Sequence, residues 1–116
     1  YHAGMYAAQL IEEHADVRAS AEVASEYEFT GGRDPWRTLV VAVTQSGETA
    51  DTLSALRRAK RAGARTLAVT NTLGSTVTRE AEDSVFIRAG PEIGVAATKT
   101  FCSQVATLAL LSVYVV

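Results

Sequence analysis

The stretch that decides the fold is Thr38-Leu39-Val40-Val41-Ala42-Val43-Thr44, which runs without a break into Gln45-Ser46-Gly47-Glu48-Thr49. Residues 38–44 are β-branched or apolar with no polar alternation, the pattern of a strand covered on both faces, as in a parallel sheet between helices. The next residues, from about 49 to 62, read as a helix. Leu53, Leu56 and Ala59 fall on one face, Arg57, Arg58, Lys60 and Arg61 point largely to solvent, and Gly63 stands where a C-terminal cap belongs.

Working outward, residues 65–70 repeat the buried-strand signature, 71–75 form a loop, 76–81 a short helix and 84–88 a third strand. Gly90-Pro91-Glu92-Ile93-Gly94 reads as a loop, and from about residue 96 the chain reads as a long apolar helix. Toward the amino end, residues 3–14 are helix formers sorted into apolar and polar faces, 19–24 a short extended piece, and 31–35 a turn. Strands alternating with helices argue for an α/β domain with an open parallel sheet, a three-layer αβα sandwich.

Composition limits the function. The 116 residues suit a single domain, 1–116, and 47% hydrophobic residues supply a real core. A net charge of −2 is wrong for a protein that grips nucleic acid through its phosphates, so no nucleic-acid partner is expected. The apolar run at 105–116 is too short to span a bilayer and is interrupted by Thr107 and Ser112, so no membrane role is expected. No basic run followed by an apolar stretch opens the chain, and a cytoplasmic setting fits both this and the single cysteine. Cys102 lies in the apolar last helix and reads as a small buried hydrophobe. His2 and His14 lie twelve apart with no carboxylate or cysteine at metal-ligand spacing, so no metal cofactor is expected.

The chemistry sits in the loop. Ligands of open parallel sheets gather at the carboxyl ends of the strands. Here hydroxyls at Thr44, Ser46 and Thr49, the Gln45 amide and Gly47 crowd into a helix amino terminus, where unpaired N–H groups and the helix dipole favour a phosphate. The same residues also suit plain helix capping, and an inward Glu48 would repel an anion. Spacing alone leaves the two readings open. The loop is neither a Walker loop nor a dinucleotide-binding glycine turn.

The run Gln45-Ser46-Gly47-Glu48-Thr49-Ala50-Asp51-Thr52-Leu53 resembles the SIS (sugar isomerase) signature, in particular that of the glutamine–fructose-6-phosphate aminotransferase (glucosamine-6-phosphate synthase) family. Tyr1-His2-Ala3-Gly4, Ala24-Ser25-Glu26-Tyr27, Gly74-Ser75 with Arg79-Glu80, and the segment from Ala89 to Lys99 agree in order and spacing. The resemblance implies a flavodoxin-like SIS sheet and the first of two SIS subdomains. It implies that Thr44, Gln45, Ser46, Gly47 and Thr49 hold the phosphate of fructose-6-phosphate or glucosamine-6-phosphate, and that Val95 and Ala97 border the sugar. Thr44 and Ala97 stand where the family more often has serine.

The resemblance further implies a preceding strand and Gly-Thr-Ser loop beyond Tyr1. The sheet is therefore expected to lack its first strand, to expose the edge of strand 38–44, and to associate into a homo-oligomer. The family's glutaminase and acid–base residues lie outside these 116 positions, so no catalytic residue is expected here. A non-catalytic SIS module that senses a phosphosugar, as in some transcription regulators, and a domain without ligand are the competing readings.

Overall fold

The computed structural model describes residues 1–29, 34–89 and 98–115. They form two compact units, one within residues 1–22, 87–89 and 98–115, the other within residues 23–29 and 34–86.

The second unit carries the sheet. Its strands are β1 (Leu39–Val43), β2 (Arg65–Thr70) and β3 (Asp83–Phe86), in the order β1-β2-β3 and parallel throughout. The register sets Leu39 beside Arg65 and Val43 beside Val69, then Leu67 beside Asp83 and Thr70 beside Phe86. The ladder runs on past β1, where the Thr44 N–H donates to the Val69 carbonyl at 3.0 Å. β2 is central and has the most buried residues, while β1 pairs only with β2 and leaves Leu39 half exposed. Within the described sheet β1 is thus an edge strand, and of residues 38–44 Leu39 alone is exposed, Ala42 and Thr44 being buried.

Helix α2 (Ala50–Ala62) connects β1 to β2. Its apolar residues recur at helical spacing, so Leu53, Leu56 and Ala59 are all buried. Leu56 and Leu53 pack with Ala42, Ala68 and Val77 into the core of this unit. The helix stops at Gly63, whose φ of 93° is open to glycine at little cost. Gly63 N–H donates to the Lys60 carbonyl at 3.0 Å and Ala64 N–H to that of Ala59 at 3.1 Å, the two bonds of a Schellman ending. Helix α3 (Thr76–Glu80) is one short stretch with Val77 fully buried. Arg57 of α2 grips Glu80 of α3 through both carboxylate oxygens at 2.8 and 2.7 Å. That pairing, above all, holds the Glu80 carboxyl below its ordinary pKa.

The first unit pairs helix α1 (His2–His14) with helix α4 (Thr98–Val115). Ala3 and Ala7 are the buried residues of α1, whereas Met5 and Tyr6 are about half exposed. In α4 the buried positions Thr100, Leu108 and Ser112 share one face at multiples of four residues. Cys102 stands well round the helix from that face and is exposed, which corrects its reading as a buried hydrophobe. Leu110, Val113 and Tyr114 are exposed too.

Two further expectations change. Residues 19–24 join no strand; the chain there is irregular and passes into a 3-10 turn at Ala24–Glu26, since an isolated extended piece gains no ladder bonds. The third strand begins and ends earlier than the hydrophobic pattern suggests, at Asp83 and Phe86. Residues 31–33 of the expected turn and the expected loop at 90–94 lie outside the described residues. Among the described residues no helix is long and apolar enough to cross a membrane.

Leu56 is 1% exposed, so Leu56→Ala is expected to cost about 2–5 kcal/mol in urea unfolding, from lost burial plus the cavity left behind. Leu73→Ala, at an exposed loop position, should stay within about 0.5 kcal/mol of the parent. Equal losses at both positions would contradict the core described here.

Candidate anion site at the start of helix α2

Two loops leave the carboxyl edge of the sheet side by side: residues 44–49 after β1 and residues 71–75 after β2. Their mutual hydrogen bonds set the shape of the candidate site. The Gln45 carbonyl accepts from the Asn71 N–H at 3.2 Å, the Thr70 hydroxyl at 3.0 Å and the Thr72 hydroxyl at 3.3 Å. The Gly47 carbonyl accepts from the Val77 N–H of α3 at 3.0 Å.

Gly47 is where the two loops come closest. Its φ is +70°, and a Cβ there would sit 2.6 Å from Ser75 Cβ and 2.8 Å from Val77 Cγ1, closer still to Ser75 Oγ. Only glycine permits this approach at this dihedral. Ser75 is itself fixed, buried, with its hydroxyl donating to the Thr72 carbonyl at 2.9 Å.

The sequence-predicted residues divide by role. Thr44 is buried, and its hydroxyl oxygen accepts the Gly47 N–H at 3.3 Å, so this side chain shapes the loop from inside. Ser46 is exposed and its Oγ accepts the Glu48 N–H at 3.2 Å, a local turn that leaves the hydroxyl at the surface. Gln45 and Thr49 are exposed as well. Val95 and Ala97 lie outside the described residues.

Thr49 is the N-cap residue of α2, and its side chain makes no capping bond. The Thr49 carbonyl takes the Leu53 N–H at 3.0 Å, the first bond of the helix. The N–H groups of the first turn then have no intrahelical acceptor, and neither Ser46 nor Thr49 supplies one. Simple capping therefore does not account for these hydroxyls. Asp51 lies in the first turn and complements the helix dipole, so the end is not purely positive.

Glu48 is bonded instead to the start of α3. Its Oε1 accepts the Thr76 N–H at 2.8 Å and its Oε2 accepts the Thr76 hydroxyl at 2.6 Å, which caps α3. Arg79 donates to the Gly74 carbonyl at 2.7 Å and to Thr76 Oγ1 at 3.1 Å on the same surface. The Thr76 hydroxyl, then its amide, and more weakly the Arg79 charge hold the Glu48 carboxyl below its ordinary pKa. A depressed carboxyl stabilises the fold above its unfolded-state pKa, and that contribution fades as pH falls through the lowered value.

Sequence reasoning placed both loops but assigned the site to the first alone and missed the part of the second. Thr70, Thr72, Ser75 and Thr76 carry the supporting bonds. The signal was present, since residues 71–75 follow a parallel strand adjacent to β1 and so leave the same sheet edge. Among the described residues no group of His, Cys, Asp and Glu could hold a metal ion.

Residues 1–114 match the SIS domain family. The chain is a SIS domain. It is 71% identical over 115 residues to the isomerizing glutamine–fructose-6-phosphate aminotransferase of Halobacterium salinarum, across 99% of this chain and 19% of that protein. It is 53% identical to the enzyme of the same name from Thermus thermophilus, across 97% of this chain and again 19% of the relative. The SIS chain thus spans about a fifth of the curated relatives it matches. Among solved structures it matches the C-terminal domain of glucosamine-fructose-6-phosphate aminotransferase from Francisella tularensis. There the TM-score is 0.91 at 40% identity, over 99% of this chain and 33% of that one. The three parallel strands with their helices are those of a SIS αβα fold, as the strand–helix alternation and the SIS resemblance together imply.

Gly47→Ala is expected to destabilise the SIS domain in urea unfolding by at least about 1–3 kcal/mol, the cost of a non-glycine residue held at an unfavourable dihedral. The clash with Ser75 and Val77 adds to this. A variant as stable as the parent would contradict the close approach of the two loops.

Proposed function

We propose that this SIS domain binds the phosphate of a sugar phosphate, fructose-6-phosphate or glucosamine-6-phosphate. It would do so within an enzyme that makes glucosamine-6-phosphate from fructose-6-phosphate and glutamine. The observation that carries the reading is the uncapped start of α2, with the exposed hydroxyls of Ser46 and Thr49 beside it and Glu48 committed elsewhere. The high identity to the aminotransferases supports the substrate class.

In this proposal the phosphate oxygens accept from first-turn amides of α2 and from the Ser46 and Thr49 hydroxyls, with Gln45 at the rim. Thr44 and Gly47 act from within, by fixing the loop. Val95 and Ala97 border the sugar ring. Neutral donors and the helix dipole suit a phosphate dianion, because they stabilise charge without a paired cation. No residue of this chain is assigned a proton-transfer role, so the chain binds and the rest of the enzyme catalyses. A cytoplasmic location and self-association belong to the same proposal. The half-exposed Leu39 on β1 and the exposed apolar residues of α4 support the latter.

Ser46→Ala and Thr49→Val each remove one hydrogen bond to a charged group and should weaken glucosamine-6-phosphate binding roughly tenfold or more in calorimetric titration. Unchanged affinity in both variants would overturn the assignment of the loop.

A further inference from the structure

We propose that Glu48 is a positioning residue for this anion site: by fastening to Thr76 it fixes the loop and keeps its own charge off the start of α2. The proposal rests on the reading of the loop as an anion site. Among the described hydrogen bonds, Gln45 and Gly47 tie this loop to the β2–α3 segment only through their backbone carbonyls. Glu48 adds a tie made by its side chain, and both of its oxygens are used on a single residue, Thr76.

Position explains why that tie matters. Glu48 stands between Gly47, pressed against Ser75 and Val77, and Thr49, the N-cap of α2. Fixing its carboxylate on α3 therefore fixes the peptide groups on either side, which lead into the proposed donors. It also disposes of a charge. A carboxylate released from Thr76 would have the uncapped start of α2 within its own neighbourhood, where the helix dipole attracts anions. It would then compete with the phosphate. Arg79, the basic side chain bonded to Thr76, is held by Gly74 and Thr76 and steadies the acceptor's partner.

The test separates positioning from charge by calorimetric titration of glucosamine-6-phosphate, and of inorganic phosphate, into the protein. Thr76→Val keeps the Glu48 charge but loses the hydroxyl, and should weaken binding about fivefold. Thr76→Ser restores the hydroxyl and should bind as the parent does. Glu48→Ala removes tie and charge together, and Glu48→Ala with Thr76→Val should bind no more weakly than Glu48→Ala alone, because the second change has nothing left to release. Glu48→Gln, which keeps the shape and one acceptor, should fall between parent and Glu48→Ala; it also serves if the alanine variant fails to fold. Parent-like affinity in Thr76→Val and Glu48→Gln, or losses that simply add in the double variant, would overturn the proposal while leaving the site reading intact. Absence of binding by the parent itself would overturn the site reading and this proposal with it.

Discussion

The site depends on the close approach of the loop after β1 to the loop after β2 at Gly47. With φ at +70° and no room for a Cβ against Ser75 and Val77, the backbone itself becomes the packing surface. The parallel register makes this contact available, since pairing Val43 with Val69 brings both loops out at the same edge. Hydrogen bonds then consume the polar groups that the approach would otherwise bury. Gly47 accepts from Val77, Gln45 from three donors, and Thr44 from the Gly47 amide. Leaving such groups unpaired would cost more than each bond contributes, so the arrangement is held as a set.

The same geometry distributes capping unequally between two helices. Short α3 receives the Glu48 carboxylate and the Gly47 carbonyl on its first amides. The longer α2, which starts from the very next residues, has no side-chain cap. A helix of 13 residues buried along one face can carry an open amino end, because its stability rests on packing of Leu53, Leu56 and Ala59. A five-residue helix has far less packing to rely on. Spending the loop's charge on α3 therefore serves both stability and the electrostatics of α2.

Much of this was legible in the sequence. The unbroken run at 38–44, the helical spacing of Leu53, Leu56 and Ala59, and Gly63 at its terminus located β1, α2 and β2 to within a residue. Local pattern suffices there because burial and turn chemistry act over a few residues. The destination of Glu48 was not legible, for its partner is 28 residues away and is chosen by the meeting of two loops. Cys102 was misread for a related reason. An apolar helix such as α4 does not announce which face is covered, and only the buried row of Thr100, Leu108 and Ser112 decides it. Residues 19–24 look extended by composition, but a strand needs a neighbour to pair with.

The account's central claim is that the residues opening α2 hold a phosphate. The most direct measurement is a map of backbone amide chemical shifts as inorganic phosphate or glucosamine-6-phosphate is added. The account predicts the largest changes at Ser46, Gly47, Thr49, Ala50 and Asp51, with smaller ones relayed to Thr76 through Glu48. Shifts confined to other parts of the chain, with these amides unmoved, would contradict it.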